Sequence, residues 1–271
     1  MSPAPLPPPL SPADRPPAPP FADAAGQIMA RQIRAALRGR RFFAAALLVA
    51  VPPVLTLVMR NPDPISLTRV VVGFILTLLL PLTALTLGSG ILHEEAEEGT
   101  LTYLFTAPVN RAAIVLGKWA SALAVGWGLA LASLGATFLL TPVDLGNLGG
   151  FIRAALVAAL LGFPAYLGIF TFFGTLFRRG YIGGLLYAFG FEIVLWVVPG
   201  AAKRMSVGFF LRSLIEPNVH DKGPFESSFS GLPADPAWLC IAVLLSVALL
   251  TVAATLLVVP RKEFKTRNVQ G

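Results

Sequence analysis

The sequence predicts an all-α integral membrane protein with six transmembrane helices. Of its 271 residues 55% are hydrophobic and only 13% are charged. The mean hydropathy of +0.74 is too high for a soluble domain with a solvated surface, so much of the apolar surface must face lipid. The apolar residues form charge-free stretches of helix length, whereas the strands of an outer-membrane barrel alternate over about ten residues.

A transmembrane helix needs about 20 mostly apolar residues to cross roughly 30 Å of hydrocarbon. The stretches that meet this requirement are 42–59, 70–92, 112–141, 154–177, 181–199 and 237–260. They define a six-span transmembrane domain at 22–262. A proline-rich tail at 1–21, predicted to be disordered, precedes it, and a short tail at 263–271 follows.

The distribution of basic residues predicts the orientation of the spans. Placing the N-terminus in the cytoplasm puts fourteen Lys and Arg residues on the inner side and seven on the outer side, as the positive-inside rule requires. Both termini are then cytoplasmic, the connection 200–236 faces outward, and we expect a multi-pass protein of the cell (inner) membrane. Since the basic residues flank the spans, the net charge of +7 indicates contact with membrane lipid rather than nucleic acid.

The segment 22–41 has the pattern of a basic amphipathic helix. Its polar positions recur at spacings of four and three residues, at Gln27, Arg31, Arg34, Arg38 and Arg41. We expect this helix to lie in the headgroup layer, with its arginines against anionic lipid.

Small residues recur at every fourth position of the third predicted span, at Ala120, Ala124, Gly128, Ala132 and Ala136. Such a face lets another helix approach closely. The partner is either a helix of the same chain or a second copy, and the spacing alone does not distinguish them.

Glu192 is the acidic residue that lies clearly within a predicted span. A charge there is costly, so Glu192 either contacts substrate in a pathway or braces the bundle through a bond to a neighbouring helix. The run Phe209-Phe210-Leu211 in the outer connection predicts a short element, helix or re-entrant turn, against the membrane.

The sequence predicts no catalytic site, no metal site and no cofactor bound by this chain. Gly117-Lys118 resembles the end of a phosphate-binding loop, but Ala112 replaces its first glycine and Trp119 its Ser or Thr. His93 is followed four residues later by Glu97 rather than by a second histidine. The single cysteine, Cys240, excludes an intramolecular disulfide.

The segment 93–111, between the second and third spans, carries four of the fourteen acidic residues within five positions, at Glu94, Glu95, Glu97 and Glu98. Next to an anionic leaflet such a cluster is unfavourable, which indicates a partner. Gly99 can end the preceding helix and Thr100 can cap a short one bearing Leu101, Leu104 and Phe105. Pro108 can end this short helix before Arg111. We call residues 93–111 the elbow; the alternative interpretation is a solvated polar loop.

The elbow resembles the first cytoplasmic loop of the ABC type-2 transporter permeases, which commonly reads Glu-x-x-x-Gly-Thr-Leu, followed by Leu, Pro, Arg and then Gly-Lys. The matching residues here are Glu95, Gly99, Thr100, Leu101, Leu104, Pro108, Arg111, Gly117 and Lys118. The resemblance extends over about 22–262, because the amphipathic helix, the six predicted spans and the large outer connection follow the same plan.

This resemblance implies the permease subunit of an ABC exporter, which pairs with a second copy or a related permease and binds two cytoplasmic ATPase subunits. ATP and Mg would be held by those subunits, and the elbow would be the coupling helix that receives their motion. Two other classes remain open. An ion-coupled secondary transporter would be expected to have several ionisable residues within its spans. An intramembrane hydrolase or non-transporting assembly factor is the third class, and a hydrolase would need a paired nucleophile and base.

Overall fold

The structure is a computed structural model that describes residues 21–38, 40–59, 64–89, 111–141, 148–177, 180–197, 201–219 and 234–259. Within these residues the chain is helical and contains no β-strand. This agrees with the predicted all-α class. It follows from the composition, because an apolar segment in lipid must satisfy its backbone hydrogen bonds within itself.

The helices, numbered in chain order, are α1 (Phe21–Arg38), α2 (Arg40–Val58), α3, α4 (Arg111–Leu140), α5 (Gly149–Leu176), α6, α7 (Val207–Ile215) and α8 (Ala237–Val258). Helix α3 runs through Pro64–Thr68, a π-helical stretch Arg69–Leu79, and Leu80–Gly88. Helix α6 runs through Gly180–Leu185, a π-helical turn Leu186–Phe191, and Glu192–Val197. Short 3₁₀ segments at Ala201–Met205 and Glu216–Asn218 flank α7.

Four of the described helices are long and apolar enough to cross a membrane: Ser66–Gly88, Ala112–Leu140, Gly149–Leu176 and Ala237–Val258. Two shorter apolar helical segments, Ala46–Val58 and Gly180–Phe191, lie at the positions of the first and fifth predicted spans. The protein is therefore a multi-helix membrane protein, and the count of six spans stays a prediction.

Helix α1 covers most of the helix predicted at 22–41, although Arg40 and Arg41 belong to α2. Helix α1 packs against the beginning of α4. A methyl group at Gly117 would lie 2.8 Å from the Ala25 carbonyl oxygen and 3.2 Å from Ile28 Cβ, so the two helices touch there. Arg31 and Arg34 are exposed. The apolar side of α1 thus packs on protein, and its predicted contact with lipid headgroups stays a prediction.

Helix α2 continues through Pro52 and Pro53, and a side chain of α4 supplies a hydrogen bond that one of these prolines removes. Proline has no N–H, so Pro53 cannot donate to the carbonyl four residues earlier, which is that of Val49. The Ser133 hydroxyl of α4 donates to this carbonyl oxygen at 2.9 Å. A side chain of a neighbouring helix therefore replaces the hydrogen bond that proline removes.

The same arrangement occurs where α4 meets α5. Pro164 lies inside α5 and leaves the Leu160 carbonyl without its helical donor. The Trp127 indole N–H of α4 donates to that carbonyl oxygen at 3.1 Å. Helix α4 thus supplies donors to two neighbouring helices at their prolines.

Helix α5 is at the centre of the bundle and packs against α3, α4, α6, α7 and α8. Glycines allow several of these contacts. A methyl group at Gly162 would lie 2.8 Å from Leu211 of α7, and one at Gly168 would lie 3.3 Å from the Ala248 carbonyl oxygen of α8. At Gly126 of α4 it would overlap the ring of Phe163, 1.8 Å from Cζ.

The small-residue face of α4 points away from this centre. Gly128 and Ala132 are exposed, while Ala120, Ala124 and Ala136 are half-buried. Apart from the adjacent turns of α4 itself, no atom of the described residues lies within 4 Å of a methyl group placed at Gly128. In the middle of this face, therefore, no described helix of the same chain fills the groove. That a second copy packs there stays a prediction.

Candidate functional site

Two regions carry the residues that the sequence marks as functional: the elbow and the surroundings of Glu192. The elbow residues Glu94, Glu95, Glu97, Glu98, Gly99, Thr100, Leu101, Leu104, Phe105 and Pro108 lie outside the described residues. Arg111 is the first residue of α4. Of the elbow the structure therefore describes only Arg111, together with the helices on either side.

Both flanks of the elbow are packed against other helices. Before it, Ser89 lies next to α5, since a methyl group at Gly174 would be 2.8 Å from the Ser89 carbonyl oxygen. After it, Gly117 touches α1. Lys118, which the charge count places at the inner edge of the membrane, is 5% exposed. The glycine of the Gly117-Lys118 pair thus has a packing role in this fold.

Glu192 lies in α6, where the π-helical turn ends. The N–H of Glu192 donates to the Tyr187 carbonyl, five residues earlier, as in a π-helix. This register places the two side chains together, and the Tyr187 hydroxyl donates to Glu192 Oε1 at 3.3 Å. The π-turn therefore brings a phenol onto the carboxylate from within the same helix.

The Glu192 carboxylate also binds the N-terminus of α7. The backbone N–H of Val207 donates to Oε1 at 3.1 Å, and that of Gly208 donates to Oε2 at 3.4 Å. The Ser206 hydroxyl donates to Oε2. Helix N-termini attract negative charge because their first N–H groups have no helical acceptor.

Ser206 is itself the N-cap of α7. Its Oγ accepts from the Phe209 N–H at 3.3 Å, so the hydroxyl accepts from α7 and donates to Glu192. Gly208 gives the carboxylate room, because a methyl group there would lie 3.0 Å from Oε2. Ser206 and Gly208 are thus suited to a helix start that a carboxylate from another helix approaches.

Arg212 and Tyr166 complete this polar cluster. Both interact electrostatically with Glu192 and with each other, and both are buried, at 9% and 1% exposure. Arg212 Nε donates to the Gly208 carbonyl at 3.1 Å, which holds the guanidinium along α7. Glu192 itself is half-buried, and a carboxylate that faces a cation and a helix N-terminus is electrostatically compensated. We call Tyr166, Tyr187, Glu192, Ser206 and Arg212 the Glu192 cluster.

A separate ion pair links the two ends of the outer connection. Arg204 donates to Asp235 at 2.7 Å, joining the 3₁₀ segment before α7 to the residues just before α8. The arginine side chain is 47% exposed, so solvent screens this pair.

Sequence reasoning identified Glu192 and missed its partners. Arg212 is one of the seven basic residues that the sequence assigns to the outer side, and nothing in the sequence indicates that it is buried. Ser206 directly before an apolar run is an N-cap signal that could have predicted the start of α7. The Tyr187 contact depends on the π-turn, which leaves no simple mark in the sequence.

The Glu192 cluster is suited to holding helices together. The carboxylate receives hydrogen bonds from the Tyr187 and Ser206 hydroxyls and from the Val207 and Gly208 N–H groups. No group of three or more His, Cys, Asp or Glu residues that could hold a metal ion occurs in the described part of the chain. The hydroxyl of a neighbouring segment is the kind of partner expected of a brace, while substrate contact by Glu192 stays a prediction.

Comparison with known proteins gives two matches. The model of the family described as "ABC-2 family transporter protein" matches residues 21–209, well over half of the chain. The chain is also similar to the "Probable ABC transporter permease protein NosY" of Stutzerimonas stutzeri, with 32% identity over 203 residues, 64% of this chain and 74% of that protein. The family match includes the elbow and Glu192.

Proposed function

Because this chain belongs to the ABC-2 family of transporter proteins, we propose that it is the permease subunit of an ABC exporter. In this role it forms the transmembrane pathway and couples ATP hydrolysis by separate ATPase subunits to the transport or extraction of a substrate. The observation that carries the proposal is the family match over 21–209, which includes α1 to α6 and the elbow. The chain contributes motion rather than chemistry, and ATP and Mg are held by its partners.

The proposed topology has six spans with both termini on the cytoplasmic side of the inner membrane. Support comes from the four long apolar helices and from the shorter apolar segments at the predicted first and fifth spans. The fourteen-to-seven excess of inner basic residues favours the same orientation. The amphipathic helix α1 then lies on the cytoplasmic side, next to the N-terminal end of α4.

The elbow is proposed as the coupling helix that two cytoplasmic ATPase subunits engage, one for each permease of a pair. Its four glutamates provide charge-assisted hydrogen bonds, and Leu101, Leu104 and Phe105 provide an apolar anchor. Because α3 and α4 are packed on both sides of the elbow, a force on it is transmitted to α5 and α1. The second permease is a copy of this chain or a related one.

Neutralising the elbow tests this function. Changing Glu94, Glu95, Glu97 and Glu98 to glutamine should weaken ATPase binding while leaving the spans folded. Phe105→Ala should also weaken ATPase binding, because it removes apolar area buried at the interface. Truncating an interface anchor typically costs about 2 kcal/mol or more, which is roughly a 30-fold weaker affinity. The measurements are ATPase co-purification, ATP hydrolysis in the reconstituted complex and protein abundance.

Glu216→Gln is the matched control, because it makes the same chemical change next to α7 on the predicted outer side. It should leave ATPase recovery unchanged. If the elbow variants keep full ATPase binding and full coupling, the elbow is a solvated loop and the proposal loses its mechanism. If no ATPase co-purifies with the wild-type chain, a secondary transporter or a non-transporting assembly factor becomes the better interpretation.

A further inference from the structure

We infer that Glu192 is a positioning residue that ties the outer helix α7 to α6, so that the two move as one unit when the transporter changes conformation. The contacts of the described residues support the tie itself, whereas its role during the ATP cycle rests on the proposed function.

The start of α7 supplies most of the hydrogen-bond donors that reach Glu192. Three of them belong to the first turn of α7 or to its N-cap: the Ser206 hydroxyl and the Val207 and Gly208 N–H groups. The next N–H, of Phe209, is satisfied by Ser206, which in turn donates to Glu192. The start of α7 is therefore completed by a side chain from another helix.

The Glu192 carboxylate is also held in place by a residue of its own helix, α6. The Tyr187 hydroxyl reaches Oε1 across the π-turn, and the Tyr187 ring stacks on Phe191 with centroids 5.4 Å apart. It also packs edge-on against Phe170 of α5. The carboxylate is thereby oriented by α6 before it meets α7.

The hydrogen bonds to Glu192 differ in kind from the other contacts of α7. Leu211 packs on α5 at Gly162, and α7 also packs against α8. Apolar packing is non-directional, whereas hydrogen bonds to a carboxylate depend steeply on distance and angle. When the bundle rearranges, α7 should follow the helix to which it is hydrogen-bonded.

Hydrogen exchange of the purified chain in lipid nanodiscs tests the tie without any activity. In Glu192→Ala we expect the amides of Val207 and Gly208 to exchange at least tenfold faster than in wild type, because both lose their acceptor. Glu192→Gln should give a smaller increase, since one oxygen remains. Asp235→Asn, which breaks the separate ion pair with Arg204, is the matched control and should leave both amides unchanged.

Equal exchange at Val207 and Gly208 in wild type and Glu192→Ala would overturn the tie. An increase spread over α5 and α8 as well would also overturn it, because it would show general unfolding rather than local release of α7. Acceleration confined to residues 206–211 supports it.

Spin labels test the shared movement in the complex with the ATPase. In a Cys240→Ala background, one label at Pro217 is paired with a second at Val194 of α6 or at Leu245 of α8, and distances are measured with and without a non-hydrolysable ATP analogue. We expect the Val194 distance to stay constant while the Leu245 distance changes. In Glu192→Ala the Val194 distance distribution should broaden.

A wild-type Val194 to Pro217 distance that changes as much as the distance to Leu245 would overturn the shared movement. If the ATPase binds no variant and no distance responds to nucleotide, the proposed function fails instead. The exchange experiment on the isolated chain then still decides whether Glu192 holds α7.

Discussion

Gly126→Ala should destabilise the protein, and Gly128→Ala on the same helix should not. The methyl group added at Gly126 would lie 1.8 Å from Phe163 Cζ, 2.2 Å from Cε1 and 2.7 Å from Cε2. Carbon atoms in favourable contact are about 3.5–4.0 Å apart. The ring must therefore retreat by more than an ångström, or α4 and α5 must separate.

The magnitude follows from what surrounds the ring. Phe163 is fully buried, so it has no free space into which to move, and overpacking of this kind costs about 1–3 kcal/mol. Replacing glycine by alanine also favours a helix by up to about 1 kcal/mol. Gly128→Ala should show only this gain in helix propensity, because no neighbouring helix among the described residues lies within 4 Å of the added methyl group. The difference between the two variants therefore isolates the overpacking cost.

The assay is reversible unfolding in mixed detergent micelles, with the free energy of unfolding compared between the two variants. We expect Gly126→Ala to be less stable than Gly128→Ala by about 1–3 kcal/mol, a shift of roughly 5-fold to 150-fold in the unfolding equilibrium. Adding Phe163→Leu to Gly126→Ala should reduce the difference, since the smaller side chain makes room and neighbouring substitutions couple. Equal stability of the two alanine variants would refute the close approach of α4 and α5 at this point.

Three further predictions concern α4 and the topology. Trp127→Phe should lower the free energy of unfolding by about 0.6 kcal/mol, up to roughly 1.7, the range of interhelical hydrogen bonds in membranes. Trp119→Phe is its control, because the Trp119 indole N–H has no acceptor among the described residues, and equal losses in the two variants would count against the Trp127 bond. Ser133→Ala should cost a similar amount, about 0.6 kcal/mol, measured by the same unfolding assay; an unchanged free energy would show that its hydroxyl does not support α2. Cysteines introduced at Pro224 and Lys265 should respectively react and not react with a membrane-impermeant reagent in intact cells, and the reverse pattern would contradict the orientation.

The positions of the long helices were predictable because an apolar stretch of sufficient length has few alternatives in lipid. The residues at which these helices begin and end were less predictable. The fourth predicted span began at 154 because a charge-free stretch cannot include Arg153, yet α5 begins at Gly149. Arg153 is exposed and its Nε donates to the Gly149 carbonyl, so the charged group lies along the first turn of the helix.

Of the residues in the Glu192 cluster, only Glu192 itself was predictable from the sequence. An acidic residue in an apolar span is visible in the sequence, which is why Glu192 was selected. Arg212 lies in a segment that also contains charged and proline residues, so composition assigns it to the outer connection and not to a span. In the structure the helix that carries Arg212 packs against α5 and α8. Long-range contacts of this kind depend on how helices pack, and no local pattern records them.

The prolines in α2 and α5 have a consequence for how this bundle can change over evolution. Proline and donor form a matched pair on different helices, Pro53 with Ser133 and Pro164 with Trp127, and neither member has its full effect without the other. In a chain carrying Pro53→Ala, residue 53 regains its N–H for the Val49 carbonyl, and loss of the Ser133 hydroxyl should then cost little. Across related proteins the two positions of each pair should therefore covary. Where a relative lacks one of these prolines, the paired donor position on α4 should accept other residue types.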